Sequence, residues 1–348
     1  VLKVIVLSQL IPIHVVNNVT YAVNFNGCIT MKKFLGFLFL LVTFISTSAL
    51  AQSYPNKPVK IIITYPVGGP ADQIARDLAL GLTQNLGQSF VVEAKPGASG
   101  SIGTAFVAKA APDGYTLLVG AGAPHTAVPV FSAKPPYDGV NEFTPILLII
   151  DVPNVMVVAP HIKVNNVKEF IELAKTKPMT FASTGTGSST HIAGEIFQIE
   201  TKTKLTHVPY KGATPAITDM LGGHVDVSFL NLSAMLPHIQ SGKLRAIGVT
   251  APTRSKALPN VPTLLEQGVK DNTGSWYGLL APAGIPEDIV KTLQNAAVKY
   301  FSQPEVRARI EAGGSELKLL DSKQFRAAMI QEKTELSDLN KILNLKIE

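Results

Sequence analysis

The stretch VKIIITYPVGGPADQIARDLALGLTQNLG, residues 59–87, decides the fold class. Residues 59–65, VKIIITY, form a β-branched run that is apolar apart from Lys60 and Thr64, the pattern of a buried strand. PVGGPAD (66–72) turns the chain. Residues 71–86 then carry Ile74, Leu78, Leu82 and Leu86 at helical spacing until Gly87 stops the helix. Strand, glycine-rich turn and helix make the repeating unit of a parallel sheet, and the unit recurs along the chain.

Outward from this stretch, strands are predicted at 90–93 and 115–119 around a helix at 101–110. Segments 146–150 and 155–158 read as two strands that carry the chain across the molecule. A second alternating series follows, with strands at 180–182, 205–208, 225–229 and 244–250 and helices at 167–177, 190–200, 215–221 and 234–241. The tail adds a strand at 276–281 and helices near 286–301, 305–312 and 322–342. The alternation predicts an α/β protein of two domains, each a mostly parallel sheet flanked by helices. Residues 153–251 form an inserted domain, and 52–152 with 252–348 form a discontinuous outer one.

The first fifty residues read differently. Met31-Lys-Lys, an apolar run over 34–45 and Ala49-Leu-Ala51 have the layout of a cleaved export signal. Residues 1–30 are read as an upstream extension of the reading frame, and 52–348 as the exported protein. Losing Lys3, Lys32 and Lys33 leaves 28 basic against 25 acidic residues, so the net charge falls from +6 to +3. A slight, dispersed positive excess is no nucleic-acid footprint, and it suits an anionic ligand. The one cysteine, Cys28, precedes Met31, so disulfides, thiolate metal sites and cysteine nucleophiles are excluded from the exported part.

Two loops share one physical character. PVGGPAD (66–72) and GTGSSTH (185–191) each follow a strand and open a helix. There, glycines allow close backbone approach and the first N–H groups favour an anion. Facing each other across a cleft, they would clamp an anion; taken singly, each can equally be an ordinary capped turn. GAGAPHT (120–126) follows another strand and could reach the same cleft, which makes Ala121, Gly122 and His125 candidates. Asp72 reads as an acid bracing its loop rather than a general base.

Enzyme signatures are absent: no GxxxxGK[ST], HExxH, GxSxG or dinucleotide GxGxxG occurs, and the histidines show no metal-ligand spacing. No cofactor, metal or catalytic residue is expected. Most of the histidines read as surface or capping residues, with His125 and His191 set apart by their loops.

Eight segments in order resemble the Bug family, the extracytoplasmic receptors of tripartite tricarboxylate transporters. They are YPVGGPAD (65–72), GASGSIG (97–103), APDGYT (111–116), ASTGTGSSTH (182–191), HVPYKG (207–212), DMLGGH (219–224), GKLRA (242–246) and LLAPAG (279–284). The resemblance implies a two-domain flytrap resembling periplasmic binding proteins, with a small carboxylate held between the glycine loops. By position it implies binding roles for Gly68, Gly69, Asp72, Thr184, Gly187, Ser188, Ser189 and Asn231. It also implies a membrane permease with large and small subunits as partner, a monomeric receptor and a periplasmic location. A receptor feeding a sensor kinase, or a periplasmic enzyme on the same fold, are the alternatives. Ala121, Ala123 and Leu230 stand where relatives often carry polar residues, so the far side of the pocket is expected to be apolar.

Overall fold

The computed structural model describes residues 54–343 and 346; the export segment and the extension before it lie outside the described residues. β1 (Val59–Ile63) buries Ile61 and Ile63 in one core and Ile62 in another, on the strand's opposite face. Both faces are covered from Ile61 to Ile63, which is why those positions are continuously apolar, while Lys60 near the start of the strand is exposed. α1 (Pro70–Leu86) lays Ile74, Leu78 and Leu82 on the first of these cores, while Leu80 points outward. Each such buried aliphatic side chain contributes roughly 1.5–3 kcal/mol. Gly87, in the left-handed region, returns its N–H to Thr83 and ends the helix.

β2 (Phe90–Ala94), α2 (Ser101–Ala108) and β3 (Thr116–Ala121) complete the first parallel set, with β1 between β2 and β3. The chain then makes a helical turn over 123–127, continues into the short α3 (Val128–Phe131), and enters β4 (Phe143–Val158).

The two strands expected at 146–150 and 155–158 are one strand of 16 residues. Its first part pairs with β9 (Gly274–Pro282) and with the edge strand β10 (Glu316–Asp321). Its second part pairs with β7 (Val227–Asn231) and β8 (Arg245–Val249). Pro153 closes the β9 register and Asn154 opens the β7 register, so the proline falls where the partners change and no ladder is broken.

Beyond β4 lie α4 (Val167–Thr176), β5 (Met179–Ser183), α5 (Ser189–Thr201), β6 (Leu205–Pro209), α6 (Ala213–Leu221) and α7 (Leu232–Gln240). The tail supplies α8 (Glu287–Phe301), α9 (Pro304–Ala312) and α10 (Ser322–Leu343). The sheet runs β2-β1-β3-β9-β4-β7-β5-β6, with β8 and β10 also on β4. Parallel pairs lie toward its two ends, as the alternation of strands and helices predicts, and antiparallel pairs join them through β4 and β9.

Separate apolar cores form on the two sides of the join. Residues 59–152 and 277–317 supply one, and 156–269 supply the other, including Leu264 and Val269 from beyond β8. The α/β class read from the sequence is the one observed.

Candidate functional site

Where the strand ends of the two halves meet lies a partly open cavity of about 120 Å³. Its lining comes from Tyr65 to Val67, Gly69 to Ala71, Ala123, Thr184, Ser188 and Ser189, Lys211 to Pro215, Asn231, and Ser275 and Tyr277 of β9. Four helices begin there: α1 at Gly69–Ala71, α5 at Ser188–Ser189, α6 at Gly212–Ala213, and α7 with Asn231 as its N-cap. The opening N–H groups of a helix have no carbonyl of their own helix to meet, and the helix dipole makes that end positive. Lys211 is the one charged side chain in the lining, and no carboxylate lies in it. The charged and dipolar groups that open onto the cavity are therefore of positive sign. Its remaining walls, Pro66, Val67, Pro70, Ala71, Ala123 and the Tyr65 and Tyr277 rings, are largely apolar.

The outer loop takes its shape from Gly68 and Asp72. Gly68 sits at φ 88, a conformation that glycine adopts without strain. Its N–H donates to Asp72 Oδ2 at 3.0 Å, and Arg76 Nε lies 2.9 Å from the other carboxylate oxygen. Burial alone would raise the Asp72 carboxyl, but these partners outweigh it and hold the group below the usual carboxylate range. Asp72 thus braces the loop from behind.

The inner loop is built on α5. Ser188 Oγ accepts the His191 N–H at 3.2 Å and donates to the Gly185 carbonyl at 2.7 Å, so this hydroxyl is the helix cap. Gly187 sits at φ 77 and gives its N–H to His191 Nδ1. Among the described residues Ser189 Oγ meets Ser275 Oγ alone, at 2.7 Å, and two paired hydroxyls keep one donor to offer a ligand. Behind the floor, Asn231 Nδ2 donates to Asn154 Oδ1 at 2.8 Å, and Asn154 Nδ2 donates to the Ser189 carbonyl at 3.3 Å. Across the rim, Ser99 Oγ donates to the Thr186 carbonyl at 2.8 Å, joining the GASGSIG loop to the inner loop.

The residues expected from sequence are distributed as follows. Gly69, Thr184, Ser188, Ser189 and Asn231 line the cavity. Gly68, Asp72 and Gly187 support it from the second layer. Ala121 pairs with Tyr277 in the sheet, and Gly122 packs against Trp276 and Glu332.

His125 is carried inward by the turn at 123–127. It is fully enclosed between Phe143 and Trp276, with Nδ1 2.7 Å from the Gly139 carbonyl. Burial pushes its imidazole down to about 4, so the ring is neutral near neutral pH. The GAGAPHT segment reaches the cavity through Ala123 instead. Tyr65, Lys211 and the pair Ser275 and Tyr277 were not singled out from sequence. The first two lie within quoted motifs, whereas the β9 pair carries no local signal.

The two serines separate by role. Ser188→Ala should lower stability by about 1 kcal/mol, the usual value of a cap, and leave the affinity of the folded protein nearly unchanged. Ser189→Ala should leave stability alone and weaken carboxylate binding about tenfold, the equivalent of one charge-assisted hydrogen bond. Denaturant titration and calorimetry on both variants measure this, and the reverse pattern would refute the assignment.

Among the described residues no group of three His, Cys, Asp or Glu side chains could hold a metal ion, and no helix is long and apolar enough to cross a membrane.

Residues 74–344 match the family described as tripartite tricarboxylate transporter family receptor. Protein BugT of Bordetella pertussis is 35% identical over 300 residues, covering 85% of this chain and 92% of BugT. The structure of an R. palustris protein with adipate is 30% identical with a TM-score of 0.81, covering 84% of this chain and 99% of that one. The structure of MatC from Rhodopseudomonas palustris with bound malate is 28% identical with a TM-score of 0.77, covering 82% and 99%. The match over most of the chain, together with the fold, shows that this protein belongs to the tripartite tricarboxylate transporter receptor family, to which the Bug proteins also belong.

Proposed function

We propose that this chain is a periplasmic receptor that captures a small carboxylate in the cavity described above, performs no chemistry on it, and delivers it to a membrane permease of the tripartite tricarboxylate type. The observation that carries the reading is the convergence of four helix N-termini and Lys211 on a lining without a carboxylate. An anionic group has every reason to enter such a cavity and a cation has none. Two similar proteins hold adipate and malate, both short dicarboxylates. The apolar walls suit an acid with a hydrocarbon body. Residues 153–251 would act as one lobe and 52–152 with 252–348 as the other, closing over the ligand. The export signal would place the protein in the periplasm.

The test is a melting-temperature screen against adipate, malate, citrate, glutamate, benzoate and neutral sugars. A ligand at 100 times its Kd adds about 2.7 kcal/mol, a shift of roughly 4–5 °C for a chain of this size. Stabilisation by one or more of the acids, recovered unaltered after incubation, is the expected result. A response to sugars alone, or conversion of the acid, would overturn the reading.

A further inference from the structure

His191 ties the inner loop in an unusual way. Ser188 and His191 stand at the N-cap and third helical position of α5. That is the spacing of a capping box, whose third residue is ordinarily Glu or Gln and returns a hydrogen bond to the N–H of the cap residue itself; here the bond reaches one residue further back, to Gly187. Here Ser188 Oγ accepts the His191 N–H, and His191 Nδ1 accepts the Gly187 N–H at 3.1 Å. Accepting at Nδ1 puts the ring proton on Nε2, which lies 3.4 Å from Glu195 Oε1.

The ring is held from its face as well. It stacks on His207 at 4.0 Å between centroids, and His207 stacks on Phe181 at 4.8 Å. His207 Nε2 meets Ser183 Oγ at 2.7 Å, and that hydroxyl accepts the Gly185 N–H at 3.1 Å. The two imidazoles therefore fix both glycines of the loop. Glu195 and His207 are the titratable groups against His191; burial above all pushes His207 down to about 4.

A glutamate at position 191 would accept the same hydrogen bond and would favour the start of a helix. It would also set a full negative charge three residues from Ser188, whose helix terminus faces the cavity. A neutral imidazole supplies the acceptor without the charge. We infer that His191 is the positioning residue of the inner loop, a charge-free capping-box partner that shapes residues 185–189 for an anionic ligand while keeping negative charge away from the cavity. This rests on the carboxylate reading above.

Three substitutions separate the parts: His191→Gln keeps the acceptor without charge, His191→Glu keeps it with charge, and His191→Leu removes it. Each is made in a Glu195→Gln parent at about pH 8, so that a carboxylate at 191 ionises without a like-charged neighbour. Affinity for adipate, malate, citrate, glutamate and benzoate is measured by calorimetry, alongside melting temperature and amide exchange at Gly187.

The Gln variant should bind within about threefold of the parent, and the Glu variant at least about tenfold more weakly at a similar melting temperature. The Leu variant should lose protection of the Gly187 amide. Equal affinity in the Glu and Gln variants would overturn the charge-exclusion role, and unchanged Gly187 protection in the Leu variant would overturn the positioning role. A parent that binds none of the five acids overturns the carboxylate reading and the charge-exclusion role with it, while the exchange measurement still decides the positioning role.

Discussion

Lys211→Glu should weaken carboxylate binding by roughly ten- to a hundredfold or more, and Lys211→Gln by about half as much on a logarithmic scale. Lys211 is exposed, sits immediately before the Gly212 cap of α6, and is the lining's one formal charge. A unit charge ~6 Å from a carboxylate is worth about 0.7–1.4 kcal/mol at an effective dielectric of about 40–80. Reversal changes the field by two such charges. The loss should shrink in salt, because the Debye length falls to about 3 Å at 1 M ionic strength. Stability should hardly respond, since the side chain makes no ion pair among the described residues. Calorimetric titrations of both variants at low and high salt check this. Wild-type affinity in the Glu variant would show that the ligand's charge lies out of reach of this lysine.

Glu332→Gln should stabilise the protein at about pH 8 by about 2 kcal/mol and have no effect near pH 4. Glu332, on α10, turns its carboxylate inward, where Trp276 Nε1 donates to it at 2.6 Å and Gly122 leaves room for it. Burial raises the group to about 7, against hydrogen bonds from Trp276 and Thr126 that oppose the rise.

The sign follows from comparing the two states. Above about pH 7 both are ionised, but the native state bears the cost of a buried charge. Below the unfolded value of about 4.3 both are neutral and the cost is gone. The native state is thus penalised progressively as pH rises between those values. The full shift would correspond to about 3.5 kcal/mol; part of the residue reaches solvent, which reduces it. Glutamine keeps an acceptor for Trp276 and cannot ionise. Urea titrations of wild type and variant at several pH values give the difference directly, and a pH-independent difference would show that the carboxyl is not the source.

Much of the fold is legible because local pattern and tertiary role agree. The run at 61–63 is apolar throughout because both its faces are covered, and Gly87 ends α1 because the chain turns left-handed there. The rest depends on partners that no local pattern reveals. Pro145 and Pro153 argue for breaks in β4, yet one lies at a register shift and the other where partners change. β10, ELKLLD, alternates weakly and is short, so it is a strand only because an edge of β4 is free to receive it.

For the site, the glycine loops announce themselves by composition. Ser275 and Tyr277 do not, since they reach the cavity only because β9 crosses between β3 and β4. His125 looks like a loop histidine until the turn at 123–127 directs it inward.

β4 also ties the two sides together mechanically. A conventional linker transmits no more than tension between the bodies it joins. Here Val152 packs in one core and Met156 in the other, four residues apart on a single strand. Fraying on either side removes ladder partners from a strand that the other side uses as its own scaffold. The two halves are therefore cooperative in the thermodynamic sense: neither can melt and leave its neighbour's free energy untouched.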